Sequence, residues 1–201
     1  MASDRLVENK DREKPLSVYF VRHGQARARA QGDNNDPGLT DLGRQQAELV
    51  ARRLKDQRFD HIYVSDLARA RETAAAIIAR HPLTPVTKTD ELREVMFYNF
   101  LSGFSPACSA ERRIVSSQRK TMRLFVDKLL KVHNGGQKTL VVAHGNLIRC
   151  MIALLSGKNP KRSVVLDINN TGVTIVEVWF SGGAVVRTAN SLEHLREGQV
   201  T

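Results

Sequence analysis

Three observations predict an α/β fold, a three-layer α/β/α sandwich built on a mostly parallel sheet. Short β-rich runs alternate with stretches of helical period along almost the whole chain. The run TLVVAH at 139–144 is nearly all apolar, the pattern of a strand covered on both faces. A chain of 201 residues with 41% hydrophobic content is long enough to bury about two thirds of its unfolded surface in one core.

Residues 1–15 read as a polar N-terminal tail that Pro15 closes, and 16–201 as a single domain without repeat or linker. LSVYFV at 16–21 is the first strand. The next stretch offers Thr40 and Asp41 as caps, then repeats Leu42, Ala47, Val50, Ala51 and Leu54 at helical spacing. FDHIYVS at 59–65 is a second strand, and 67–80 is an Ala-rich helix that stops before His81 and Pro82. PVTKT at 85–89 is a brief third strand. Residues 90–107 show no clear period and include Phe97, Tyr98, Phe100 and Phe104. The 109–133 stretch is helical, with Val115, Met122, Val126 and Leu129 on one face, and Asn134, Gly135 and Gly136 end it. A helix at 146–157 follows the 139–144 strand, and TGVTIVEVWF with AVVRTA forms a closing hairpin around Ser181, Gly182 and Gly183.

Charge narrows the function. Lys and Arg number 31 against 21 Asp and Glu, a net charge of +10 that asks for an acidic partner: nucleic acid, an anionic membrane or a phosphorylated molecule. Cys108 and Cys150 are too few for a disulfide framework or a four-thiolate zinc site and fit a reducing compartment. The longest clean apolar run, 150–155, is too short to span a bilayer. The first fifteen residues mix four bases with four acids and hold no apolar h-region, so a cytoplasmic location is expected.

In such a sheet, ligands gather outside the carboxyl ends of the strands where strand order reverses. The first strand ends in Arg22-His23-Gly24, the second in Ser65-Asp66 with Arg69 one turn into its helix, and the third apolar run in His144-Gly145-Asn146. If these strands are neighbours, two histidines and two arginines share one edge. Guanidinium forks bind phosphoryl oxygens bidentately, and a neutral imidazole is a nucleophile towards phosphorus. The helix start after His144 adds backbone N–H groups for an anion, and Gly24 and Gly145 let a phosphate approach the backbone or simply satisfy tight turns. Each residue also has a plainer use: a single His at a strand end is commonly structural, and Arg69 can pair with Glu72 or Asp66 on a helix face. His61, His81, His133 and His194 have no such company and read as structural. HExxH, paired CxxC and a DxD acidic pair are absent, neither Cys has an Arg six positions later, and no GxxxxGK occurs.

RHG at the end of the first strand, LTDLGRQQAELVARRL, SDLARARETA, ELRE and VVAHGNLIR stand in the order and approximate spacing of the histidine phosphatase superfamily, the phosphoglycerate mutase-like group (branch 1), which the chain resembles from about residue 16 to the hairpin. The resemblance implies the phosphoglycerate mutase-like sandwich, with His23 as the nucleophile that becomes phosphohistidine and Arg22, Arg69 and His144 holding the phosphoryl oxygens beside Gly145. It places Glu94 of ELRE as the proton donor, with Asp90 and Glu91 close enough to compete for the role. It also implies a neutral His23, a protonated His144, no metal and no cofactor, the arginines supplying the positive charge.

Two departures stand out. The family often follows its acid with a Gly, an aromatic and a second acid; here Val95, Met96, Phe97, Tyr98 and Asn99 keep the aromatic and lose the others. After RHG the mutases and many phosphatases place an Asn, where this chain has Gln25, Ala26, Arg27, Ala28 and Arg29, arginines suited to a second anionic group on the substrate or simply to a charged loop. Only 50 positions separate Glu94 from His144, less than the mutases' insertion, which favours water as the phosphoryl acceptor. The expected function is therefore a metal-independent phosphomonoester hydrolase acting on a small phosphorylated metabolite. A phosphoprotein phosphatase of the same family and a mutase-type phosphotransferase are the alternatives. The mitochondrial phosphoprotein phosphatase of the family also lacks the Asn and ends its hairpin in a run like Val186-Arg187-Thr188. A basic module that binds nucleic acid or senses phosphate is the non-enzymatic reading, since seven Lys and Arg against Glu111 and Asp127 crowd the 109–133 helix. Aromatics total only 5%, too few for base stacking among the bases. The expected partner is thus a phosphorylated small molecule or phosphoprotein, with no nucleic acid and no membrane.

Overall fold

The strand Leu16–Arg22 (β1) shows no alternation of polar and apolar residues because both its faces are covered. Leu16, Val18 and Phe20 join one buried cluster, while Tyr19 and Val21 join another on the opposite side of the sheet. The computed structural model describes residues 13–27, 36–95, 108–160 and 166–201. After β1 come α1 (Asp41–Leu54), β2 (His61–Ser65), α2 (Ala68–Ile78) and β3 (Val86–Thr89), then a 3₁₀ turn at Asp90–Leu92. They are followed by α3 (Ser109–Val132), β4 (Lys138–Ala143), α4 (Gly145–Leu155), β5 (Val173–Val178), β6 (Ala184–Ser191) and a second 3₁₀ turn at Glu197–Gln199.

The six strands lie in the order β3-β2-β4-β1-β5-β6. Neighbours are parallel from β3 to β1, while β5 runs antiparallel to both β1 and β6. The expected sandwich and closing hairpin are therefore both present, the hairpin turning through Gly182 at φ 115° and Gly183 at φ 94°, a backbone region that L side chains avoid. Helices α1 and α2 cover one face through Val50, Ala51, Leu54, Ala74 and Ile77. Helices α3 and α4 cover the other through Val115, Met122, Phe125, Leu129, Leu147 and Met151.

Local chemistry sets the boundaries. Thr40 is the N-cap of α1, its Oγ1 accepting from the Gly43 N–H at 3.0 Å, as its position before the helical stripe suggests. His133 closes α3, so the helix ends one residue before the expected boundary. Of the 90–107 region, residues 90–95 are described, beginning with the short turn that Thr89 caps, and residues 96–107, with their aromatics, lie outside the described residues.

Candidate active site

Strand β1 leaves through α1 on one face and β4 through α4 on the other, so the chain connections part between the carboxyl ends of these two parallel neighbours. Arg22 pairs with Ala143 in register, and His23 and His144 are the next residues along each strand. Strand β2, on the far side of β4, ends at Ser65 and delivers Arg69 from the first turn of α2. Two histidines and two arginines thus converge, as the neighbour condition required.

His23 is 7% exposed, and its Nδ1 donates to the carbonyl of Gly24 at 2.7 Å. That bond selects the tautomer and leaves Nε2 with its lone pair, towards which Arg69 Nε donates at 3.2 Å. Burial, with Arg69 and Arg22 adding repulsion, pushes its pKa down to about 3, so the ring is neutral at physiological pH. His144 is fully buried; its Nε2 shares a 2.9 Å hydrogen bond with Ser65 Oγ, and no described residue partners its Nδ1. Burial together with His23, Arg69 and Arg22 pushes it down to about 2. The expected protonation of His144 belongs to the phosphoryl-bound state; in the field of the protein's own groups alone a third positive charge is disfavoured, and the ring is neutral.

Arg22 Nη1 donates to the Ile168 carbonyl at 2.6 Å, while its buried Nε meets no acceptor among the described residues. Arg69 does not pair with Glu72 or Asp66 as the helix-face alternative suggested. Glu72 accepts from the Leu39 N–H at 3.0 Å, and Asp66 takes a two-pronged bond from Arg93 at 2.8 and 2.5 Å. Arg69 instead lies 3.7 Å from Asp36, which also accepts from the Ala68 N–H at the start of α2.

Glu94 sits where a helix N-terminus was expected to hold an external anion. Its Oε1 accepts from the Leu147 N–H at 3.1 Å and the Val95 N–H at 3.0 Å, and the Asn146 N–H bonds the same carboxyl. The first-turn donors of α4 are therefore engaged by the chain's own acid. Burial raises the Glu94 pKa, opposed by those three hydrogen bonds and by Arg22. Asp90 and Glu91 lie in the turn before it, where Glu91 meets Lys128 at 3.4 Å and Thr89 at 3.2 Å. Of the three carboxyls, Glu94 is the one bonded to the helix that His144 opens.

The glycines differ in purpose. At Gly24 a Cβ would stand 2.5 Å from the Gly43 carbonyl oxygen, and at Gly43 one would stand 2.0 Å from the Gln25 carbonyl, so two backbones touch where the β1 turn meets α1. At Gly145 a Cβ would meet Arg22 Nε at an ordinary 3.6 Å, so no comparable crowding excludes a side chain there. Arg27 is exposed, its backbone N–H bonded to the Gly38 carbonyl at 3.1 Å, and Arg29 lies outside the described residues.

Sequence reasoning missed the polar groups that brace this edge. Thr73 Oγ1 accepts from the Gly24 N–H at 2.9 Å and donates to the Arg69 carbonyl at 2.7 Å. Gln46 Oε1 accepts from the Gln25 N–H at 2.7 Å, and Asn170 Nδ2 donates to the His23 carbonyl at 2.7 Å. Thr73, four residues after Arg69 on one helix face, carried a readable signal; Asn170, 147 residues from its partner, carried none.

An α/β sandwich with an imidazole pair and two guanidinium groups at its switch point is built to meet a compact anion. The sequence model of the histidine phosphatase superfamily (branch 1) matches residues 18–114 and 114–191, and the chain belongs to that superfamily. Among curated relatives, the probable phosphoglycerate mutase GpmB of Yersinia pestis is 30% identical over 206 residues, spanning 90% of this chain and 95% of the relative. Among solved structures, the phosphoserine phosphatase of Entamoeba histolytica, in complex with 3-phosphoglyceric acid, is 27% identical, with a TM-score of 0.70 and coverage of 90% of this chain and 100% of that one. The alpha-ribazole phosphatase of Shigella flexneri, 22% identical, shares the fold with a TM-score of 0.74 and coverage of 88% and 96%. No described helix is long and apolar enough to cross a membrane.

Proposed function

We propose that the chain is a metal-independent phosphomonoester hydrolase that works through a phosphohistidine on His23 and acts on a small phosphorylated metabolite. The observation that carries this reading is the His23 ring: Nδ1–H is tied to the Gly24 carbonyl, and the free Nε2 faces the Arg69 guanidinium. A nucleophile needs a lone pair and a low enough pKa to stay neutral, and this ring has both.

In the proposed reaction, Nε2 attacks phosphorus and the bond to the leaving oxygen breaks. Arg22 and Arg69 hold the equatorial oxygens and replace the positive charge that a metal supplies elsewhere. Glu94, raised by burial, donates its proton to the leaving oxygen; the resulting carboxylate then takes a proton from water, which attacks phosphorus and releases His23. A phosphoryl dianion beside His144 reverses the field that keeps this ring neutral, so His144 gains a proton only with the anion, and Gly145 leaves the backbone beside Arg22 open. The small-metabolite class is supported by relatives that carry names such as phosphoserine phosphatase.

The mutase reading is favoured by the 30% identical relative named a probable phosphoglycerate mutase. The 50 positions between Glu94 and His144 weigh against it. The test is turnover of p-nitrophenyl phosphate in EDTA, then a panel of phosphorylated metabolites, phosphopeptides and 3-phosphoglycerate. Phosphate release that survives EDTA, vanishes in His23→Ala and passes through an acid-labile, base-stable phosphoryl-enzyme is the expected result. Loss of turnover in EDTA, or full turnover in His23→Ala, sinks the proposal; isomerisation of 3-phosphoglycerate without phosphate release establishes the mutase.

A further inference from the structure

The excess positive charge is not spread evenly, nor is most of it at the site. On α3, Val115, Met122, Phe125, Val126 and Leu129 face the sheet, and the opposite side exposes Arg112, Arg113, Lys120, Arg123, Lys128 and Lys131 with Asp127 as the one acid among them. Elsewhere Arg44 meets Asp41, Arg80 meets Glu48, Arg93 meets Asp66 and Arg187 meets Glu177, while the other exposed cations without an ion pair among the described residues, such as Arg52, Lys55, Arg58 and Arg71, form smaller groups than the row on α3. Of the six on α3, Lys128 alone meets a carboxylate among the described residues. An unmatched row of like charges is held at a cost in self-repulsion, which an anionic partner relieves.

We infer that the outer face of α3 is a peripheral docking surface for an anionic lipid bilayer. The helix has 24 residues and so is about 36 Å long, a length over which its basic row can lie along a flat anionic layer. Aliphatic side chains accompany the bases: Leu124 is 54% exposed within the row, with Ile114 and Val132 at its margin. Its aromatic residue, Phe125, is buried, so this face has no ring to stack on bases. Helix α3 returns to β4 through residues 133–137 and packs on the sheet through its buried side, so its basic row points away from the sheet. The expectation of no membrane partner rested on the lack of a spanning segment, and adsorption through α3 requires none. This surface is independent of the chemistry proposed at His23.

The test is co-sedimentation with vesicles of two parts phosphatidylcholine to one part phosphatidylglycerol, against phosphatidylcholine alone. Each cation near an anionic surface changes partitioning about fivefold, so Lys120→Gln, Arg123→Gln and Lys131→Gln together are expected to weaken binding about a hundredfold. Removing three exposed charges from the α1 side instead, with Arg52→Gln, Lys55→Gln and Arg58→Gln, keeps the same net charge and is expected to leave most of the binding. Both triple variants are checked for folding by circular dichroism and for unchanged hydrolysis of p-nitrophenyl phosphate. Equal loss in the two triples, no preference for the anionic vesicles, or tighter binding to duplex DNA at the same salt each overturns the inference.

Discussion

The rings of His23 and His144 face each other across the β1/β4 switch point, 5.1 Å between centroids and tilted by 57°. Both are buried, both stand in the field of Arg22 and Arg69, and both are neutral in the folded chain. Their folded pKa values, about 3 and about 2, lie below the 6.5 of a free histidine. The unfolded chain therefore binds more protons as pH falls through 6.5, and stability drops with it down to about pH 3. From pH 7 to about 5.5 the two rings together should remove about 2–3 kcal/mol. Urea midpoints in phosphate-free buffer check this: burial also lowers His61, His81, His133 and His194, so the readout is the difference between proteins, the decline in His144→Gln being smaller than the wild type's by about 1 kcal/mol, and an equal decline contradicts a neutral His144.

Arg69 is the one described cation whose side chain donates to His23, through Nε at 3.2 Å. Removing a donor aimed at developing phosphoryl charge lowers kcat/KM by about 10²–10³. Arg69→Ala should show that loss, and Arg69→Lys should recover only part of it because an ammonium keeps the charge without the planar fork. Full activity in Arg69→Lys would show that charge alone is needed there.

Gly24 and Gly43 predict a stability effect, to which Gly24 adds an effect on activity because its carbonyl orients His23. A methyl at either position meets a backbone carbonyl at 2.5 or 2.0 Å, and backbone cannot rotate away as a flexible side chain does. Gly24→Ala and Gly43→Ala should each cost about 1–3 kcal/mol, the usual range for overpacking. Gly198, whose Cβ position is open and whose φ is ordinary, should accept Ala without loss. Thermal midpoints of the three variants decide it; Gly24→Ala melting with wild type refutes the close approach.

Strand ends were legible because apolar runs stop abruptly at Arg22-His23 and at His144, and the order of runs along the chain places both at one sheet edge. Glu94 was legible only through resemblance, since DELRE offers three acids within five residues. What singles it out physically is the start of α4, whose N–H groups it fills, and that contact joins residues 53 apart. The neutral resting state of His144 was not legible for a related reason. Residue type gives the ordinary pKa, whereas burial and the cations from β1 and α2 give the shift, and both are properties of the assembled edge. The bases of α3 were visible as a count, but which of them face outward emerged only from the packed helix.

Glu94 offers the sharpest mechanistic test because its environment pulls in two directions. Burial raises its pKa and keeps a proton available, while the N–H groups of Val95, Asn146 and Leu147 stabilise the carboxylate left once the proton is given. An acid so placed matters in proportion to how badly the leaving oxygen needs a proton. Glu94→Gln should therefore slow alkyl phosphates by about 10²–10⁴, the range for general acid catalysis, and barely slow p-nitrophenyl phosphate, whose leaving group departs as a stable anion. The pH profile gives a second readout. Activity that needs protonated Glu94 falls as pH rises through its elevated pKa, whereas His23, at about 3, stays neutral throughout and sets no limb in that range. Glu94→Gln should flatten the alkaline limb for alkyl substrates after correction for substrate ionisation. If the variant follows wild type across leaving groups, Asp90 or Glu91 becomes the candidate, and Asp90→Asn and Glu91→Gln measured on the same alkyl series identify which.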